Sequence, residues 1–458
     1  MTDAFWAARP ALQHVLTLAR ARGVGPWAVL GAVLARAIAT VPPEIVLPGI
    51  VGSRMSLNLF IALVGPSGGG KGAAEATALD GFSLPYTEIV PLGSGEGVNR
   101  TYRPIGTKPE DPNPVTTAIF SAAEIDSLAA VGSRPGATLT AELRKLYSGE
   151  TLGFGNAGKD TRSIVAAGSY RACLIVGVQP LRSHALLSEV GGGLPQRFCW
   201  LPTSDPDAPD EPPADPGKFK VGRPSWLRAI GSHVELIVPD EASKSIRSHR
   251  LAVLREDPNV DPLDGHTYLT RLKVAAGLMA LDGRTVVSSE DWSLAGHIMR
   301  VSNYTRERCQ RALAEQSRSV NTARAIAAAE REEVVSDRKL QRAKEAILRK
   351  LSDDRQQPRN HLRRSLKADL RDYFDPALDG LLTDGQITVS PGQRGTQKIP
   401  VYQRYTPQKP PSSSANNPCT ESTRVPRTTA ESRSARTRRR QRTRGAHRIT
   451  QQTGEATA

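Results

Sequence analysis

The stretch Ile61-Ala62-Leu63-Val64-Gly65-Pro66-Ser67-Gly68-Gly69-Gly70-Lys71-Gly72 decides how the rest of the chain is read. Its first four residues are an unbroken apolar run, the pattern of a short strand buried on both faces. A glycine-rich turn follows, then Lys71, then the helix-forming run Ala73-Ala74-Glu75-Ala76. The spacing G-x-x-x-x-G-K, from Gly65 through Gly70 to Lys71, suits a loop whose backbone N–H groups converge on phosphate, backed by the positive end of the next helix. Glycines permit the backbone angles and the close approach that this needs, and the lysine supplies a point charge for the outer phosphates. Gly65, Pro66, Ser67, Gly68, Gly69, Gly70, Lys71 and Gly72 are therefore the expected nucleotide-binding residues, with ATP and Mg²⁺ as the expected cofactors. Gly72 departs from the pattern, because a Ser or Thr hydroxyl normally stands there to hold Mg²⁺. A glycine turn with a chance lysine would share this composition without the order strand, loop, lysine, helix.

Around this motif the chain is 458 residues long, ample for a core and for about three domains. It holds 61 Lys and Arg against 46 Asp and Glu, a formal charge of +15. From Thr406 onward, eleven basic residues stand against three glutamates, so this tail carries +8 and the remainder +7. Such a balance points to a polyanionic partner such as nucleic acid. The four cysteines, at 173, 199, 309 and 419, show no C-x-x-C spacing, which argues against a zinc site or disulfide framework and for a reducing cytoplasm. No signal peptide is read at the amino terminus. The apolar residues between Val24 and Val51 are interrupted by Arg36, Pro42, Pro43 and Glu44, so no membrane span is expected.

In chain order, residues 9–22 and 26–41 read as helices, the second stopped by Pro42-Pro43. Glu88 to Leu92 reads as a strand, and Gly93-Ser94-Gly95-Glu96-Gly97 as a loop that presents Ser94 and Glu96 or simply turns at the surface. Thr116 to Phe120 is a second buried strand, running into Ser121-Ala122-Ala123-Glu124-Ile125-Asp126. After a phosphate loop, a neighbouring strand that ends in carboxylates holds Mg²⁺ and polarises the attacking water. Glu124 and Asp126 are thus the expected catalytic and metal-holding residues, although acidic residues of a helix N-terminus read similarly. Residues 138–148 read as helix, Ile164 to Ala167 as a possible strand start, and Ala172 to Val178 as a core strand. That strand places Gln179 where a polar side chain contacts the γ-phosphate. A helix is expected at 181–189. Arg197 follows a glycine run from which an arginine reaches phosphate in cis or across a subunit boundary, or stands solvated.

Residues 202–217 are dense in Pro and Asp and read as a boundary. Helical patterns resume from Trp226. They include the apolar helix 267–281, carrying Arg271, a short extended piece at 286–288, and a helix at 290–302 capped by Ser288 or Ser289. This region reads as a helical lid, with Arg271 facing the nucleotide, or as an ordinary helical domain. A charged connector helix follows at about 305–332. Between 336 and 405, three helices and a β-hairpin give the winged helix-turn-helix layout. Arg359, Arg363, Arg364, Lys367 and Arg371, with Arg394 and Lys398 on the wing, suit phosphate contacts, while a protein-binding wing is the other reading. The tail, with Arg438, Arg439 and Arg440, is expected to be disordered and to add salt-sensitive affinity for DNA or RNA, or simply to aid solubility.

The divisions expected are therefore a helical preface at 1–50, an ATPase core at 51–217, a helical lid and connector at 218–332, a winged helix at 333–405 and a basic tail at 406–458. The fold class expected is α/β, a P-loop NTPase core of RecA/AAA+-like type with N-terminal helices, a C-terminal helical region and a winged-helix domain.

Several pieces taken together resemble a family. They are Ser56-Leu57-Asn58-Leu59-Phe60 leading into the glycine loop, Gly93 to Gly97, Phe120 to Glu124, Val176 to Pro180, and Gly193-Leu194-Pro195-Gln196-Arg197-Phe198. Over approximately residues 25–300 the chain resembles replication-associated P-loop ATPases, helicase-like or primase-helicase-like, of bacterial phages, prophages and plasmids. The resemblance implies that Lys71 binds phosphates, that Glu124 is the acidic residue of the second nucleotide motif, that Gln179 is a sensor and that Arg197 acts at the nucleotide or a neighbouring subunit. It further implies a DNA helicase or helicase loader, working on single-stranded or forked DNA as a homo-oligomeric ring with a primase or initiator partner. Gly72 and the pair Ala122-Ala123, where another carboxylate often precedes the glutamate, depart from that family's pattern. A nucleotide or small-molecule kinase and a non-hydrolysing, ATP-binding DNA regulator are the competing readings.

Overall fold

The computed structural model describes residues 2–103, 115–125, 138–154, 163–188, 192–222, 224, 226, 233–351, 355–394 and 397–405. The chain divides into two compact units, Met1–Glu333 and Val334–Ala458. The expected α/β character holds. In the first unit five strands form one sheet: β1 (Leu59–Val64), β2 (Glu88–Pro91), β3 (Thr117–Ala122), β4 (Arg171–Val178) and β5 (Phe198–Pro202). Their spatial order is β2-β3-β4-β1-β5, and every neighbouring pair is parallel. All six residues of β1 and all eight of β4 are buried, which is why these strands read as unbroken apolar runs.

Alternate residues of each strand feed two different cores. On one face, Ile61, Leu63, Ile119, Ile175 and Leu201 pack with the helices α1 (Thr2–Ala7), α2 (Pro10–Ala21) and α3 (Pro26–Ala39) and with the later helix Asp264–Leu281. On the other, Phe60, Ala62, Phe120, Leu174 and Trp200 pack with the helices Gly95–Thr101 and Leu139–Ser148. All fourteen residues of α3 are buried, Arg36 included, so the amino-terminal helices are one wall of the sheet.

The Pro/Asp-rich stretch does not separate its flanks into different compact units. Arg20 holds Asp205 at 2.9 Å, Arg22 holds Asp215 at 3.0 Å, and Phe219–Lys220 pairs in parallel with Phe82–Ser83. Val234–Glu235 likewise pairs with Ile45–Val46. The segments read as 1–50, 51–217 and 218–332 therefore lie within one compact unit.

Several local expectations change. The helices expected at 290–302 and about 305–332, and the first of the three helices expected after 336, are one helix, Ser289–Lys350, since no proline interrupts the run and its one glycine, Gly296, lies in its third turn. Ser288 caps it reciprocally: its hydroxyl accepts from the Asp291 N–H at 3.2 Å, and its own N–H donates to Asp291 at 2.8 Å. The segment expected as helix 181–189 is a 3₁₀ turn, Pro180–Arg182, followed by the single turn His184–Leu187, with residues 189–191 outside the described residues. The glycine-rich 93–97 stretch opens the helix Gly95–Thr101, with the Ser94 hydroxyl accepting from the Gly97 N–H at 3.1 Å. Sequence reading missed β5 altogether, because five apolar residues ending in proline carry no periodicity to tell strand from turn.

The second unit packs the end of the long helix against the helices Arg359–Ser365 and Phe374–Thr383 and a three-stranded sheet. In that sheet Gln397–Arg404 lies between Gln357–Pro358 and Ile387–Arg394. Pro376 lies in the first turn of Phe374–Thr383, where no helical N–H partner is lost, so it does not divide that helix. Among the described residues, no helix is long and apolar enough to cross a membrane.

Candidate functional site

In an all-parallel sheet, ligands gather beyond the carboxyl ends of strands whose chains leave in opposite directions. Here β1 and β4 are neighbours, yet β1 connects across the sheet to β2 while β4 connects past β1 to β5. The glycine loop follows β1, and Gln179 follows β4. Glu124 follows β3 on the far side of β4. Three separate stretches of chain thus end at one crevice.

The loop is built for close approach. Gly68 and Gly70 have φ of 72° and 78°, left-handed backbone that favours glycine. A Cβ on Gly65 would fall 2.0 Å from the Thr203 hydroxyl oxygen, so the residue just past β5 packs directly onto the loop's first glycine. Helix α4, Lys71–Gly81, begins at the loop's end, and its first internal bond is Ala74 N–H to Gly70 O at 2.9 Å. The N–H groups of Lys71, Gly72 and Ala73 have no partner within the helix and are the donors an anion needs. The Lys71 ammonium donates to the carbonyls of Gly65 at 3.2 Å and Pro66 at 2.8 Å. Burial lowers its pKa, and the nearby Glu124 carboxylate works against that shift. At Gly72 an added Cβ meets nothing within 4 Å, so the missing hydroxyl is not excluded by space.

The Gln179 amide donates to Glu124 Oε1 at 3.4 Å, bringing the expected sensor and acid together. Gly177, two residues earlier, makes this possible. A Cβ there would lie 2.1 Å from the Ala123 carbonyl oxygen and 3.3 Å from Lys71 Cδ, so only glycine lets the β3 end and the lysine stem pass. Gly177 and Thr203 are positioning residues that sequence reading did not single out. Thr203 carried no signal without β5, and Gly177 carried only a glycine near a strand's end. Asp126 lies outside the described residues. Among those described, no three His, Cys, Asp or Glu side chains group as a metal cage. Among the described residues, the Glu124 carboxylate and the helix N–H groups of Lys71, Gly72 and Ala73 fit a nucleotide whose phosphates themselves supply metal ligands.

Arg197 is elsewhere. It immediately precedes β5, opposite the start of β1, and so stands at the amino edge of the sheet, roughly 17 Å of strand away from the loop. Its guanidinium donates to Gly192 O at 2.7 Å and lies 5.9 Å from the Tyr147 ring centre. Burial lowers its pKa. Parallel strands that put the loop at one end of β1 put the residue before β5 at the other, so Arg197 does not join Lys71, Glu124 and Gln179. Arg271 is also turned away: it lies 3.7 Å over the Trp292 ring and donates to the Trp292 carbonyl. Its helix, Asp264–Leu281, is buried over most of its length and fastened to the sheet by Lys273, rather than standing apart as a lid would.

In the second unit Arg359, Arg363, Arg364, Lys367, Arg371 and Lys398 are all exposed. Arg359 is paired with Asp375, and Arg371 donates to Leu366 O at 3.3 Å. Arg394 belongs to the strand Ile387–Arg394. Arg438, Arg439 and Arg440 lie outside the described residues. The helix Phe374–Thr383 exposes Asp379 just beyond exposed Asp372, an acidic face beside the basic one. Compared with protein-family models and with curated proteins, the chain matches none.

Proposed function

We propose that the carboxyl edge of the sheet is a P-loop nucleotide site and that the chain is an ATP hydrolase acting with nucleic acid. The observation that carries this reading is the convergence of Lys71, Glu124 and Gln179 at the ends of three adjacent strands, β1, β3 and β4, with β4 between the loop strand and the acid strand. The loop and the first turn of α4 would cradle the phosphates, and Lys71 would exchange its two loop carbonyls for phosphate oxygens. Bound Mg²⁺ would neutralise developing phosphate charge. Glu124 is the carboxylate that would hold that ion or orient water, and Gln179 would orient Glu124. Arg197 would act only in trans, on a neighbouring copy in a ring, after leaving its buried position.

The second unit supports a nucleic-acid role through its exposed Arg363, Arg364, Lys367 and Lys398, in the order of elements of a winged helix. The acidic helix Phe374–Thr383 favours backbone contact through the Arg359–Ser365 helix and the hairpin over insertion of the later helix into a groove. Replication of a phage, prophage or plasmid in the bacterial cytoplasm, as a helicase or loader beside a primase or initiator, is the setting that the family resemblance suggests. Gly72 and Ala122-Ala123 favour one competitor, a chain that binds ATP and regulates DNA without turning the nucleotide over.

An ATPase assay with and without single-stranded and forked DNA tests the proposal. DNA-stimulated hydrolysis is expected, removed by Lys71→Ala and reduced about a hundredfold by Glu124→Gln with ATP binding kept. A folded chain that binds ATP without hydrolysing it, with or without DNA, would establish the competitor instead.

A further inference from the structure

We propose that the cavity beside β5 receives the purine base of the nucleotide whose phosphates the glycine loop holds. The inference rests on the phosphate-loop reading and adds a second subsite to it. The cavity has a volume of about 240 Å³, and its walls include Trp6, Trp27, Pro202, Asp207 and Tyr304. That is below the roughly 300–1,000 Å³ of pockets that enclose drug-sized ligands, and it suits a base more than a whole nucleotide.

Thr203 stands between Pro202 and Ser204, both of which line the cavity, and it is also the residue packed on Gly65. Its N–H donates to Val64 O at 2.9 Å, the last residue before the loop. Loop and cavity are thus neighbours through a single residue. The reacting end of a bound triphosphate must face Glu124 and Gln179, which follow β3 and β4 on one side of β1. The remainder of the nucleotide then trails toward the other side of β1, where β5 and this cavity lie.

The wall chemistry matches. Tyr304 is 61% exposed; Arg311 lies 5.7 Å from its ring centre, which leaves the opposite ring face for stacking, while Trp6 and Trp27, only 3% and 9% exposed, add apolar ring surface. The Asp207 carboxylate is exposed and has no ion pair among the described residues, so it is available to accept from a ring N–H or exocyclic amino group of a base. The loop that carries it is held by Arg20, which pairs with Asp205 at 2.9 Å, while Asp205 accepts from the Asp207 N–H at 3.2 Å.

Calorimetric titration of the full chain with ATP, GTP, CTP and inorganic tripolyphosphate tests the assignment. Purine triphosphates should bind more tightly than tripolyphosphate and CTP. Tyr304→Ala should weaken ATP and GTP about tenfold and leave tripolyphosphate unchanged. Asp207→Ala should weaken ATP and GTP and leave tripolyphosphate unchanged, because only a base offers the carboxylate an N–H. Both side chains are exposed, so both variants should melt like the parent chain. Purine nucleotides bound no better than tripolyphosphate, or bound as well by Tyr304→Ala as by the parent, would overturn the base subsite and leave the phosphate loop standing. A folded chain that binds neither nucleotides nor tripolyphosphate would overturn the phosphate loop, and the base subsite with it.

Discussion

At the carboxyl edge of the sheet, Lys71 sits part-exposed on a glycine loop, held by two carbonyls of that same loop. At the amino edge, Arg171 and Lys273 are fully buried. Arg171 donates to the carbonyls of Val41, Pro42 and Ile45 and to Ser56 Oγ, and Lys273 donates to the carbonyls of Asn58 and Tyr147 while lying 3.3 Å over the Tyr147 ring. Burial pushes the pKa of Arg171 down to about 10 and that of Lys273 well below its ordinary value. The same charge therefore serves different ends. A cation bonded to distant buried carbonyls joins the amino-terminal segment, the sheet and a later helix, and it cannot leave without orphaning them. A cation bonded to its own loop can change partners when an anion arrives.

The sharpest way to break this contrast is Arg171→Met. It should cost about 3–5 kcal/mol of unfolding free energy in urea denaturation, because several buried acceptors lose their donor. A cost near zero would show the buried arginine to be incidental. Lys71→Ala should do the reverse: tripolyphosphate affinity falls about 10–100-fold, from the loss of a charge-assisted bond, while the urea midpoint hardly moves.

Asp291 adds a third arrangement, a cation pair closed by a carboxylate. Burial would raise its pKa, but hydrogen bonds from Arg284, the Ser288 N–H and Arg9 hold it below the ordinary range. The folded chain then binds fewer protons there than the unfolded chain. Its contribution to stability is complete above the unfolded carboxyl pKa of about 4 and is lost as pH falls through the depressed folded value. Denaturation midpoints should drop on acidification below about pH 4, and Asp291→Asn should flatten that part of the profile. The smallest effect belongs to Gly72→Ser. Open space around the site and better helix propensity predict a gain of about 0.5 kcal/mol, with faster Mg²⁺-dependent hydrolysis if the hydroxyl reaches the metal.

Much of the site could be read locally. The apolar runs of β1, β3 and β4, the glycine spacing before Lys71 and the acid after β3 are each contained in short stretches, because strand burial and loop geometry leave marks on neighbouring residues. The long helix was legible in parts but not as a whole, since propensity marks where helix is allowed and less clearly where it stops.

What the amino-acid sequence determined by itself was the set of parts: an α/β core, a glycine loop with its lysine, an acid, a polar residue after a core strand, and a basic carboxyl-terminal region. Only the tertiary structure decided which parts meet. Strand order brought Glu124, Gln179 and Lys71 to one edge and sent Arg197 to the other, and it placed Thr203 against Gly65 and a tryptophan-lined cavity beside the loop. The physical reason is that parallel strands hold the residues at their amino ends and those at their carboxyl ends apart by the full length of the strands, and nothing in a local stretch records which strands will be neighbours.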